Sequence, residues 1–170
     1  KPIQVARPLR KAFADLGATY VKFGQMVASS PAIFGQGVAD EFRSLLDAGR
    51  PVSPDRVRKE IQRATGMPAR ELFAEFDDQP IGRASMAVVH RAVLLDGREV
   101  AIKVLRPGIE RTVACDLAIM QYVLPLVAQR VEGMQDEMIP FLVDTLRQQL
   151  CEELDLRNEA RAIQHMQKLL

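Results

Sequence analysis

The stretch from Ala84 to Gly108, ASMAVVHRAVLLDGREVAIKVLRPG, contains two β-branched apolar runs separated by Asp96-Gly97. Asp-Gly between such runs supplies the backbone angles of a tight turn and is a strong hairpin signal. The pattern predicts strands at about 85–94 and 98–105, with an earlier strand near 76–81. Pro107-Gly108 ends the sheet segment. Whatever else the chain does, it must build around a short antiparallel hairpin.

The flanking sequence is helical. Residues 11–29 read as one helix stopped by Pro31, and a second helix is expected from about Gly37 to Ala48. Ser53, Pro54, Asp55 and Gly66 delimit another: an N-cap, a first-turn proline, an acid for the positive helix end and a closing glycine. Pro68 opens a short helix through about Ala74. Beyond the sheet, residues 109–131 form a helix with Pro125 inside it, and Gly133 marks a turn. A long helix from about Glu137 to Leu170 carries Leu142, Leu146, Leu150 and Leu154 as its buried stripe. Helices, a short antiparallel sheet, then helices make the fold class α+β. The expected division is a helical region over 1–75 and a sheet-plus-helix region over 76–170.

Composition excludes some functions. The 170 residues are 48% hydrophobic and 26% charged with a net charge of +1, so the chain reads as globular, not as a nucleic-acid reader. The run from Val113 to Ala128 is interrupted by Asp116, Gln121 and Pro125 and is too short to span a bilayer. The expected location is a reducing compartment, the cytoplasm. Cys115 and Cys151 lack metal-ligand spacing and are expected as buried thiols on helices. His90 and His165 have no second ligand at a metal spacing, so both are assigned structural roles and no metal site is expected in this chain. The first residue is Lys and the last two are Leu, so both ends look cut from something longer.

Three places carry candidate chemistry. Lys103 sits inside the apolar strand VAIK, on the alternation opposite Ile102 and Val104. A lysine there is either a phosphate ligand of a kinase-like site or an exposed strand residue. In CEELDLRNEA, Glu153, Asp155 and Glu159 crowd one helical turn and a half, with Asp155 and Glu159 sharing a face. Such acids are a site or a solvated surface. Gly82, Arg83, Ala84 and Ser85 form a small-residue turn into the hairpin. It lacks G-x-G-x-x-G and taken alone reads as a strand-entry turn. A puzzle remains in YVKFGQMV, where Gly24 lies between Lys22 and Gln25 inside an apolar helix, at about 1 kcal/mol relative to alanine.

Together these segments resemble the UbiB family, also called AarF or ADCK, of atypical protein-kinase-like proteins. Its K-x-G-Q motif resembles Lys22-Phe23-Gly24-Gln25, and its alanine-rich nucleotide loop resembles Gly82-Arg83-Ala84-Ser85 followed by Val89-His90-Arg91-Ala92. Its strand lysine is matched by Lys103, and its E-x-D motif with a following glutamate by Glu153, Asp155 and Glu159. The family has alanine where this chain has Gly82 and Arg83, and glutamine where it has Val88, which bears on nucleotide preference.

The resemblance implies part of a kinase-like small lobe preceded by a helical K-x-G-Q extension, with the C-terminal lobe absent. It implies ATP as nucleotide, held by Lys103 and the loop Gly82, Arg83, Ala84 and Ser85, with Glu159 orienting Lys103. Lys22, Gly24, Gln25, Glu153 and Asp155 would gate the site, and Gly24 would allow close packing there. It implies a link to isoprenoid quinone biosynthesis, with a quinone precursor or isoprenoid lipid, a membrane surface and biosynthetic protein partners. No Asp-Phe-Gly or His-x-Asp occurs and the single asparagine is Asn158, so Mg²⁺ ligands are expected elsewhere and the 170 residues alone are not expected to hydrolyse ATP. Two alternatives stand beside the enzyme: a non-catalytic, pseudokinase-like regulator that binds nucleotide, lipid or protein, and an unrelated α+β protein.

Overall fold

A computed structural model describes residues 2–45, 49, 51–128 and 138–169. The helices are α1 (Pro2–Leu16), α2 (Ala18–Ala28), α3 (Pro31–Phe34), α4 (Gln36–Phe42), α5 (Pro54–Thr65) and α6 (Ala69–Leu72). Three strands follow, β1 (Phe73–Arg83), β2 (Ala87–Leu94) and β3 (Glu99–Leu105). Then come α7 (Ile109–Ala128), α8 (Met138–Leu154) and α9 (Leu156–Gln167). The chain forms two compact units, residues 45–109 and residues 1–44 with 110–170. It is α+β, with a three-stranded antiparallel sheet, the arrangement expected of the small lobe that the resemblance implies.

The first unit is a sheet with two helices on one face. Strand order is β1-β2-β3, antiparallel throughout. Asp96-Gly97 makes the β2–β3 turn, where Gly97 N–H donates to Leu94 O at 2.9 Å and Leu94 N–H to Arg98 O at 2.9 Å. β1 is longer than the expected 76–81 because its pairing with β2 resumes after register shifts, from Phe73 opposite Leu94 to Arg83 opposite Val88. The strand therefore takes over at Phe73, and the short helix expected through Ala74 ends at Leu72.

Val57 and Ile61, one turn apart on α5, pack with Ala69 of α6 onto Val88 and Val104. That packing places α5 and α6 with the sheet, whereas motif content divided the chain at residue 75. Ser53 occupies the N-cap position of α5 without a side-chain capping bond, and Gly66 closes the helix by donating its N–H to Gln62 O. His90 is 1% exposed, stacks on Phe76 at 5.1 Å and bonds Asp77 O through Nδ1 at 2.8 Å. Burial and a backbone partner give it a structural role.

The second unit is helical. The expected single helix over 11–29 is two helices, broken at Gly17 with φ 114° and ψ −160°. Only glycine adopts that backbone without strain. The break lets Phe13 of α1 meet Tyr20 and Phe23 of α2 and Phe42 of α4, at ring centroid distances of 5.9, 5.6 and 5.4 Å. The helix expected over 37–48 ends at Phe42. Its expected continuation through Leu46 and Ala48, the turn at Gly133 and the ends of the helices placed over 129–131 and at 137 lie outside the described residues.

Leu142, Leu146 and Leu150 of α8 are buried as the four-residue repeat requires, while Leu154 is half-buried at the helix end. The long helix expected over 137–170 is broken at Asp155, which has φ −90° and ψ 85° and caps α9. Cys115 and Cys151 are exposed, contrary to expectation, because each falls on the outer side of its helix. Among the described residues no helix is long and apolar enough to cross a membrane.

Candidate functional site

In the sheet unit, the face of β3 opposite the α5–α6 packing carries Lys103. Ile102 and Val104 turn toward the helices and Lys103 to the exposed side, as the two-residue period of a strand dictates. Lys103 pairs with Val89 of β2, and Val89 pairs with Gly82 of β1. One row across the sheet thus holds Gly82, Val89 and Lys103. Gly82 has an ordinary strand backbone, and a Cβ there would meet Val89 Cβ at 3.6 Å, an ordinary contact. Arg83, exposed, ends β1.

Ala84 and Ser85 form the turn into β2, closed by the Ala84 N–H donating to Ala87 O at 2.9 Å. The turn has a brace that sequence reasoning missed. Arg106, just past β3, donates from Nε and Nη2 to the Ala84 carbonyl at 3.0 and 2.9 Å. Its own backbone N–H donates to Met86 O at 2.9 Å. A β-carbon on Gly49 would overlap both the Arg106 guanidinium and the Ala84 carbonyl oxygen. The only sequence signal was an arginine directly after the lysine strand.

In the helical unit, α2 carries Lys22, Gly24 and Gln25. Lys22 and Gln25 are half-buried, and Gly24 is buried between Phe23 and Met26. Lys22 Nζ lies 2.8 Å from Glu153 Oε1 at the end of α8. Thr19, 0% exposed, donates from Oγ1 to Asp116 Oδ2 of α7 at 2.6 Å. Burial raises the Tyr20 phenol above its ordinary pKa, and the Asp116 carboxylate adds to the rise.

Glu153 lies in the last turn of α8, and Asp155 is itself the α8–α9 break. Asp155 Oδ1 accepts the Arg157 backbone N–H at 3.1 Å, and its two oxygens take Arg157 Nε and Nη2 at 2.7 and 3.0 Å. The Arg157 guanidinium holds the Asp155 carboxyl below its usual range, with the backbone bond adding to the effect. Glu159 is exposed in the first turn of α9. Asp155 and Glu159 therefore do not share the face of one continuous helix. Lys103 stands in the sheet unit and Glu159 in the helical unit.

The ABC1 atypical kinase-like domain matches residues 44–170. The chain is 42% identical over 161 residues to an uncharacterized protein of Mycobacterium tuberculosis, covering 95% of this chain and 33% of that protein. It is 37% identical over 153 residues to "Probable protein kinase UbiB" of Cellvibrio japonicus, covering 89% of this chain and 28% of the relative. A solved structure of the Mycobacterium tuberculosis protein Rv3197 with erythromycin superposes with a TM-score of 0.51 at 34% identity, over 63% of this chain and 27% of that one. The chain thus spans a third or less of the length of these relatives. It belongs to the ABC1 atypical kinase-like family, alongside the UbiB and aarF-domain kinases.

Proposed function

We propose that this chain is the amino-terminal part of a UbiB-type atypical kinase or ATPase that binds ATP. The observation that carries the reading is the row Gly82–Val89–Lys103, with the braced Ala84–Ser85 turn just beyond it. Adjacent strands lie about 4.8 Å apart, so Lys103 stands about 10 Å across the sheet from the strand that enters the turn. An extended lysine and a chain of phosphates bridge that interval. The ammonium meets the phosphates, and the Gly82, Arg83, Ala84 and Ser85 segment approaches them from the other side, with the Ala84 N–H held inside the turn by Ala87 O.

Glu159 is assigned as the carboxylate that orients Lys103 through a charge-assisted hydrogen bond. Lys22, Gly24, Gln25, Glu153 and Asp155 are assigned as the gate, and the 2.8 Å Lys22–Glu153 pair supports that assignment. The family resemblance assigns the ligands for Mg²⁺ to the rest of the parent protein. The names of the UbiB relatives suggest a role for the parent in isoprenoid quinone synthesis, and the family resemblance extends that proposal to lipid homeostasis, a membrane surface and biosynthetic partners.

The test is a titration of the full-length parent with ATP, ADP, AMP and adenosine. Affinity that falls as phosphates are removed supports the site, and equal affinity for ATP and adenosine contradicts it. Hydrolysis of bound ATP by the parent supports the enzyme. Binding without turnover supports a nucleotide-binding regulator instead.

A further inference from the structure

We propose that Arg106 is a positioning residue for the β1–β2 turn: it fixes the Ala84–Ser85 peptide in one orientation and so sets affinity for nucleotide phosphates without touching the nucleotide. The inference rests on the reading of that turn as a phosphate loop. A loop that binds phosphate through backbone N–H groups works only when its peptides point the right way. An ordinary glycine-rich loop samples many orientations and loses that freedom on binding.

Here the freedom is removed beforehand. Both Arg106 donors converge on the Ala84 oxygen at 3.0 and 2.9 Å. In a planar trans peptide the C=O and N–H point in opposite directions. Holding the Ala84 carbonyl toward Arg106 therefore directs the Ser85 N–H away from it. The Arg106 N–H to Met86 O bond and the Ala84 N–H to Ala87 O bond hold the two ends of the same turn.

The close approach of Gly49 confines the fork. A side chain at residue 49 would displace the guanidinium or the carbonyl it holds. Arg106 lies three residues beyond Lys103, so the end of the lysine strand and the turn are tied together. Arg91 is a useful contrast. It makes a two-donor contact at 2.8 and 3.2 Å, but to the exposed side chain of Glu99 and away from the turn.

The experiment compares Arg106→Ala, Gly49→Ala and Arg91→Ala in the full-length parent by amide hydrogen exchange and by ATP and adenosine titration. A charge-assisted hydrogen bond that orders a turn predicts about tenfold faster exchange at the Ala84 amide in the first two variants. Exchange at the Leu94 amide stays unchanged. ATP affinity falls about tenfold, adenosine affinity holds, and Arg91→Ala changes neither. Unchanged Ala84 exchange in both variants, or faster exchange with intact ATP affinity, overturns the proposal. If the unaltered parent binds no ATP, the phosphate-loop reading and the nucleotide half of the proposal fail together, and the exchange rates alone decide whether Arg106 orders the turn.

Discussion

Lys22 Nζ sits 2.8 Å from Glu153 Oε1, joining the K-x-G-Q helix to the end of α8 across 131 residues of sequence. The lysine side chain is 18% exposed and the glutamate 41%, so solvent screens the pair only in part. Exposed pairs contribute about 0–1 kcal/mol, and this one should reach the top of that range. A double-mutant cycle of Lys22→Met and Glu153→Gln should give a coupling of about 1 kcal/mol by denaturant unfolding. Zero coupling would mean the two groups do not meet in solution.

Thr19 and Asp116 form a more enclosed contact, with the threonine fully buried. Thr19→Val keeps the shape and removes the donor. The expected loss is about 1.5–3 kcal/mol, the range for hydrogen bonds to charged groups. Thr19→Ser, which keeps the hydroxyl, should lose much less. Thermal unfolding of both variants checks the order.

Asp155 should make α9 acid-sensitive. Its folded pKa is lowered, chiefly by the Arg157 side chain. A group with a lowered folded pKa contributes stability above its unfolded value, about 3.9, and loses it as pH falls through the folded value. The start of α9 should therefore fray below about pH 4. Asp155→Asn should fray at neutral pH and show a flatter acid profile. Amide exchange at Arg157, read from pH 3 to 7, follows both.

Gly82→Ala should be tolerated. The backbone there is not left-handed, and the added methyl meets Val89 at ordinary contact distance. Alanine also restricts the unfolded chain, so stability should rise by about 0.4–1 kcal/mol. Gly17→Ala is the opposite case, since φ 114° strains any side chain, and it should destabilise. Chemical denaturation of the pair measures both signs.

These contrasts show what the sequence could reveal. Asp96-Gly97, the Val57–Ile61 spacing and the leucines at 142, 146 and 150 act locally, so hairpin, α5 and α8 were all readable. The breaks at Gly17 and Asp155 were not. A glycine or aspartate inside an apolar period leaves the period intact on both sides, and only packing decides whether the backbone turns there. Residence in a helix did not say which way Cys115 and Cys151 face. Lys103 in an apolar strand, Glu153 in an acidic cluster and Lys22 beside a helix glycine stood out as side chains, whereas Arg106 was missed because its acceptor is a backbone carbonyl, which has no side-chain signature. Thr19 and Asp116 are 97 residues apart and match no motif.

The most direct test is ATP titration of the full-length parent carrying Lys103→Ala, with Lys103→Arg beside it. Loss of one phosphate-bound ammonium predicts that Lys103→Ala weakens ATP binding by about tenfold or more, with partial recovery in Lys103→Arg and no change for adenosine. ATP affinity in Lys103→Ala equal to that of the unaltered protein would contradict the assignment of Lys103 as the phosphate ligand, and with it the nucleotide site.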